Sequence, residues 1–241
     1  MRWIKLMILG LLGAVSVYAK SGDELWLLEQ DFVKFGKKEV YEATQMQIAK
    51  KGEKGAPFET YALQDTSNPE YLYLTPVKTY AGLDTYLSYM SSLHRNFSDQ
   101  ATLRQSCLNF VVRTLYAALA SCSSLPHDKH APIISGVASY FVFGILPGEE
   151  SVFEQHLKEI ALQQTSKQSP IFYRTWKVVM GGDQPRYMIA VFNAEQKLAD
   201  ENAKALEIIT KPIKQVLRKE KMGSAIVRSD LSSKFSLQQN K

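Results

Sequence analysis

Glu29 and Asp31 stand two apart in the run Leu25-Trp-Leu-Leu-Glu29-Gln-Asp31-Phe-Val33. On a strand alternate residues share a face, so both carboxylates would project together with Leu27 and Val33. Two carboxylates held close can drive one pKa upward and so supply acid–base chemistry. The other reading is a pair of surface acids on a sheet edge. Arg174 and Trp176 are also two apart in strand-like sequence. A guanidinium beside an indole could hold an anionic aromatic molecule by charge and stacking. Alternatively Trp176 packs under helices and Arg174 escapes at a strand edge. Tyr71 and Tyr187 open strands bordering the same prospective chamber. His156 follows Val152 by four and Phe153 by three in a helical pattern. There a neutral imidazole could be an axial haem ligand or simply a half-buried packing residue.

His127 and His130 are three apart, a spacing compatible with metal. Zinc needs at least three protein ligands, however, and Pro126 and Pro132 mark a connector, so no metal is expected. The chain has no Gly-x-Ser-x-Gly, His-Glu-x-x-His, Cys-x-x-Cys, phosphate-binding glycine loop or dinucleotide fingerprint. Hydrolase, zinc protease, thiol oxidoreductase and nucleotide enzyme all lose ground.

The elements that must position these residues begin after a leader. Arg2 and Lys5 precede the apolar run Leu6 to Val15, and Val17-Tyr18-Ala19 has small residues where a signal peptidase reads. This predicts a signal peptide over residues 1–19 and a protein exported to the periplasm or beyond the cell. The alternative, a membrane anchor, would have about half of the ~20 residues a span needs. No later segment approaches that length. Loss of Arg2 and Lys5 lowers the formal charge from +5 to +3, too little to argue for nucleic acid. Cys107 and Cys122 both fall in sequence that reads as helical. At ~1.5 Å per residue they would sit beyond the ~7 Å reach of a disulfide, so buried, unbridged thiols are expected unless the helix breaks. Lys211, Lys214, Arg218, Lys219 and Lys221 are spaced as a basic helix face, either solvated or touching anionic lipid. Asn96-Phe-Ser98 is a glycosylation sequon, of consequence only in a eukaryotic source.

Gly36-Lys-Lys-Glu-Val40-Tyr41-Glu42 returns as Gly148-Glu-Glu-Ser-Val152-Phe153-Glu154, each after an apolar run. Pro69-Glu-Tyr71 returns as Pro185-Arg-Tyr187. The first half reads as strand Leu25–Val33, helix Glu39–Lys50, strands Phe58–Leu63 and Tyr71–Val77, and helices Leu83–Leu93 and Ala101–Ala120. Its closing strand is either Asn109–Leu115 or a segment just before Ser135. The second half reads as strand Ala138–Leu146, helix Glu149–Leu162 and hairpin Ile171–Met180/Arg186–Phe192 turning at Gly181-Gly182-Asp183. Helix Glu195–Ile209 follows, then helical sequence from Pro212 to Lys221 and a strand over Gly223–Arg228. The order β-α-β-β-α-β is ferredoxin-like. Each such sheet leaves one face bare, and a second copy covers it, closing a barrel. The predicted fold is therefore α+β: two tandem ferredoxin-like units in a pseudo-dimeric α+β barrel, with extra helices after the first hairpin. The units would span residues 20–126 and 137–230, with a connector over 127–136 and a flexible tail over 231–241.

An apolar strand, a Phe-Gly or Pro-Gly turn (Phe35-Gly36, Leu146-Pro147-Gly148), a helix opening Val-aromatic-Glu and a Pro-x-Tyr hairpin resemble the dimeric α+β barrel superfamily. That group includes antibiotic-biosynthesis monooxygenases, stress-responsive barrel proteins and NIPSNAP-type proteins. The resemblance covers Leu25–Tyr89 and Ala138–Arg228, and its motifs are structural. It implies a choice among cofactor-free oxygenases, haem-handling enzymes and proteins with no known reaction; no catalytic residue carries over. The leading expectation is non-catalytic binding of a small apolar or aromatic molecule, or of a protein partner, with no cofactor. It ranks ahead of an oxygenase or haem-handling enzyme and of a structural envelope protein. A roomy barrel cavity would support the small-molecule version, and a barrel filled with side chains would remove it.

Overall fold

The fold was obtained as a computed structural model that describes residues 24–52, 55–125, 136–167, 171–193 and 195–233. The leader over Met1–Ala19 and the His127–His130 pair lie outside the described residues, as does the end of the chain from 234. In chain order come β1 (Glu24–Val33), α1 (Lys38–Gly52), β2 (Tyr61–Asp65), β3 (Glu70–Lys78), α2 (Tyr80–Asn96), α3 (Ser98–Ser106) and β4 (Leu108–Ala118). Then follow β5 (Val137–Ile145), α4 (Glu150–Thr165), β6 (Tyr173–Met180), β7 (Arg186–Asn193), α5 (Gln196–Thr210) and β8 (Leu217–Val227). Among the described residues no helix is long and apolar enough to cross a membrane.

All eight strands close into one antiparallel barrel in the order β1-β3-β2-β8-β5-β7-β6-β4. The first half of the chain contributes β4-β1-β3-β2 and the second β8-β5-β7-β6, the same order twice. Edge strands of one half pair with those of the other, β2 with β8 and β4 with β6. Closure leaves no open sheet edge.

Parity sorts the strand residues. Trp26, Leu28, Leu63, Leu72, Leu74, Tyr116, Tyr140, Trp176, Met188 and Ala225 belong to one buried cluster drawn from all eight strands, which is the barrel interior. Their chain neighbours face outward, many of them beneath helices, while Met222 and Ile226 of β8 are exposed. Under α4 the outer face is Phe141, Phe143 and Ile145 against Phe153, Leu157 and Ile160. The glycine of the repeated motif has a conformational reason. Gly36 at φ +72° and Gly148 at φ +91° are left-handed, with nothing within 4 Å of an added Cβ. Backbone shape, not crowding, requires glycine at both places.

Two sequence readings are corrected. Ala101–Ala120, taken as one helix, is α3 followed by β4. Leu108–Ala118 lies along the whole of β1, from Val33↔Leu108 to Glu24↔Ala118, and that ladder outweighs local helix preference. This is the first half's closing strand, and it contains Asn109–Leu115, one of the two places expected for it. Pro212–Lys221, taken as helix, is a 3₁₀ turn to Val216 and then β8, which is longer than the expected Gly223–Arg228. Cys107 and Cys122 are consequently separated by β4; both thiols are buried and no disulfide joins them.

Candidate functional site

β1 is a central strand, with β3 on one side and β4 on the other. Its outward residues run Leu25, Leu27, Glu29, Asp31 and Val33, so two carboxylates continue an apolar face and are covered by helices. Asp31 is 0% exposed and Glu29 8% exposed, which corrects the reading of surface acids at an edge. Burial of such groups requires partners, and α3 supplies one. Arg104 Nη2 lies 2.7 Å from Glu29 Oε1 and also bonds Asp31 Oδ2. Arg113 on β4 donates from Nε to Glu29 Oε2 at 2.6 Å. From α1 the Tyr41 hydroxyl donates to Asp31 Oδ2 at 2.6 Å, and it lies 2.7 Å from the Tyr73 hydroxyl of β3. Tyr41 has one proton and gives it to Asp31, so Tyr73 must donate to Tyr41. Asp31 Oδ1, Arg104 Nε and Gln45 Oε1 are buried with no hydrogen-bond partner among the described residues.

This arrangement separates the two acids. Burial raises the Glu29 pKa, but Arg104 and Arg113 together outweigh it, and the net direction is down. Asp31 goes up: burial dominates, the Glu29 charge adds to it, and Arg104 and Tyr41 offset only part. Burial works against charge on Arg104, yet Asp31 and Glu29 keep it protonated. Burial, and then the Arg104 charge, lowers the His94 pKa and favours the neutral imidazole.

A pocket of about 50 Å³ lies between this face and the helices, lined by Glu29, Gln45, Tyr73, Tyr86, His94 and Arg104 among others. Burial pushes the pKa of the Tyr86 hydroxyl up to about 12, beside the Thr60–Thr75 hydroxyl pair at 2.9 Å. Tyr89 donates to the Gly52 carbonyl at 2.7 Å and ties α2 to the end of α1. An open groove of about 570 Å³ between α2 and α3 shares His94 and Arg104 with the pocket. Inside the barrel a void of about 20 Å³, lined by Leu28, Leu63, Leu74, Met188 and others, is room for roughly one water. Among the described residues the barrel interior is filled with side chains, and the version of small-molecule binding that needs a roomy chamber there loses its support.

The other predicted residues separate. Arg174 and Trp176 do share the inner face: the Arg174 guanidinium sits 5.0 Å from the Trp26 ring and 6.0 Å from Trp176. Arg174 Nη1 is 3.5 Å from Glu24 Oε2, so its charge already has a partner. Tyr71 and Tyr187 face outward beneath α1 and α4, not into the barrel, because the inward positions of β3 and β7 are their even-numbered neighbours. Tyr71 stacks on Tyr41 at 4.7 Å between centroids and donates to Glu42. Tyr187 packs on Phe153 at 4.8 Å and donates to Glu154 Oε1 at 2.7 Å. His156 is on the flank of α4 beside an open groove with Gln155, Glu159 and Gln215. Of the predicted set, Glu29 and Asp31 come together, and Arg174 with Trp176. Tyr41, Gln45, Tyr73, Arg104 and Arg113 were not anticipated. Tyr41 was marked only by the repeated Val-aromatic-Glu motif, and Tyr73 only by sharing a strand face with Tyr71; Arg104 joins them from 73 residues away.

No family model matches the chain, and no curated protein matches it. Solved structures do. A candidate monooxygenase from Lactobacillus acidophilus aligns at a TM-score of 0.60 and 7% identity, over 88% of this chain and 97% of that one. An anthrone oxidase-like protein aligns at 0.57 and 11% identity, over 86% and 92%. A mutant chlorite dismutase from Candidatus Nitrospira defluvii, in complex with cyanide, aligns at 0.53 and 8% identity, over 88% and 93%. These neighbours are members of the dimeric α+β barrel superfamily, and the chain has their fold.

Proposed function

We propose that this protein is a tandem pair of ferredoxin-like units that binds a small oxygen-bearing molecule on the outer face of its first half. The pocket beneath α1, α2 and α3 is the site. The repeated strand order supports the tandem reading. One observation carries the site: Glu29 and Asp31 occupy the positions that Phe141 and Phe143 fill in the second half. Asp31 faces Tyr71 across β1–β3 as Phe143 faces Tyr187 across β5–β7. A buried ionic floor is weak as a source of stability, so its presence beside a pocket points to use. The nearby oxidase and monooxygenase likenesses are compatible with this reading and add only the fold to it.

Haem is the group that the chlorite dismutase likeness raises, and the described residues do not fit it. Beneath α4 the sheet face is packed with Phe141, Phe143, Phe153 and Leu157. His156 borders an open groove instead. The first-half pocket, at about 50 Å³, is well below the ~300 Å³ at which sites for larger ligands begin. The leader composition supports export of the chain, tested by N-terminal sequencing of the mature protein.

The binding reading is tested by a ligand-observed NMR screen of small oxygenated fragments against the full chain and an Ala49→Trp variant. Ala49 lines the pocket. Fragments that bind the parent and lose at least about tenfold in affinity when the indole fills the pocket support the site. Equal binding to both proteins overturns it.

A further inference from the structure

We propose that Tyr73, Tyr41 and Asp31 form a proton wire that ionises a weakly acidic hydroxyl, an enol above all, bound in the first-half pocket. This rests on the binding reading above and adds the ligand's chemistry to it. Tyr73 lines the pocket. Behind it the Tyr41 hydroxyl is 2.7 Å away, and Tyr41 is 2.6 Å from Asp31 Oδ2. Both tyrosine protons point away from the pocket toward the carboxylate, so Tyr73 Oη turns a lone pair toward an incoming donor. That orientation is set to receive a proton.

The transfer balances. The ligand's hydroxyl proton passes to Tyr73 Oη, the Tyr73 proton to Tyr41 Oη, and the Tyr41 proton to Asp31 Oδ2. Both tyrosines end neutral, Asp31 ends protonated, and the ligand oxygen carries the negative charge. Arg104 provides for that charge: it lines the same pocket, and its Nε–H is a buried donor with no partner among the described residues. Meanwhile Arg104 Nη2 remains on Glu29 and Asp31. A fixed, desolvated donor beside a developing anion is an effective electrostatic stabiliser. The pocket's size limits the inserted end to a few heavy atoms, and the open groove sharing His94 and Arg104 gives the remainder of a longer ligand somewhere to lie.

The probe is pentane-2,4-dione, whose enol and enolate differ in near-ultraviolet absorbance, added to the full chain at pH 7. Binding is followed separately by ligand-observed NMR. The parent protein should bind the dione and show the enolate band. Tyr41→Phe interrupts the wire but keeps Asp31, Arg104 and the pocket wall. It should bind within about threefold of the parent and lose the band by about tenfold or more. If Tyr41→Phe does not melt cooperatively, Tyr73→Phe serves in its place and should also lose the band by about tenfold or more, with weaker binding because the Tyr73 hydroxyl itself meets the ligand. Binding without an enolate band in the parent, or a band that survives both substitutions, overturns the wire and leaves the pocket. Failure to bind the dione while other fragments respond to Ala49→Trp overturns the enol class alone. Failure of every fragment overturns both readings.

Discussion

The outer faces of the two half-sheets share a frame and differ in what fills it. Glu42 and Glu154 each accept a hydrogen bond from the tyrosine that follows the hairpin turn, Tyr71 or Tyr187. Above that common anchor the second half stacks Phe141, Phe143 and Phe153. The first half puts Glu29, Asp31 and Tyr41 at the matching places and adds α3, which brings Arg104. Fold maintenance explains the phenylalanines, since each buried aromatic removes a large apolar surface from water. It does not explain the acids. One half fills this outer face with aromatic rings, and the other gives part of it to polar groups beside a pocket.

The comparison is broken most severely by moving one acid across. Phe143→Asp places a carboxylate where, among the described residues, no Arg104 counterpart reaches, and it also removes a fully buried ring. Loss of the ring alone costs about 3–5 kcal/mol, and the unpaired charge adds several more. The variant should fail to give a cooperative denaturant transition, whereas the native Asp31 at the equivalent register is tolerated. A variant that unfolds at the parent's midpoint would show that the second half does not depend on a dry face.

Next in size is Arg104→Met. It leaves Glu29 with Arg113 but takes the only cation from Asp31 among the described residues, leaving it the Tyr41 hydroxyl alone. Removing one member of a buried ion pair costs about 3–5 kcal/mol, read as a drop in urea midpoint. The triple variant Glu29→Phe, Asp31→Phe, Arg104→Met copies the second half at Phe141 and Phe143 while keeping Tyr41, whose hydroxyl still has Tyr73 as a partner. It should be neutral or up to about 4 kcal/mol more stable than the parent, with fragment binding abolished. Loss of stability in the triple variant would mean that the ion cluster is structural. The triple variant can be more stable than its own component Arg104→Met because the three residues act as one unit.

The frame was legible in the sequence because it is repeated and local. Gly36 and Gly148 mark left-handed turns, the Val-aromatic-Glu helices start where expected, and the hairpins flank Pro69 and Gly181-Gly182. The order β-α-β-β-α-β led to the closed barrel. The site was only half legible. Parity alone paired Glu29 with Asp31, but whether that face was wet or covered depended on α3, which the helix reading of Ala101–Ala120 had merged with β4. Arg104 therefore had no place to be. Tyr71 and Tyr187 were put on the wrong side of the barrel, because which parity faces inward is decided by closure with the partner half and not by either strand. Arg174 and Trp176 were paired correctly, but Glu24 and the Trp26 ring already occupy them.

The smallest effect tests what the halves have in common. Burial raises the pKa of Glu42, but hydrogen bonds from Arg228 and Tyr71 outweigh it and the net direction is down. Glu154 is lowered in the same way against burial, by Lys177 and Tyr187. A carboxylate whose folded pKa is depressed contributes stability that is present above its unfolded value of 4.5 and lost as pH falls through the folded one. Asp31, shifted upward, runs the other way and contributes most below its unfolded value. Tyr71→Phe and Tyr187→Phe should each cost about 1–2 kcal/mol at pH 7. The cost should shrink in both as the pH drops below 4.5 and the glutamates protonate. Urea midpoints measured at several pH values check this. Parallel curves identify the Tyr–Glu bond as the duplicated structural anchor. If Tyr71→Phe shows a cost that persists in acid while Tyr187→Phe does not, the Tyr71 hydroxyl is held by more than the ionised Glu42. The boundary between frame and site would then pass through Tyr71 and not above it.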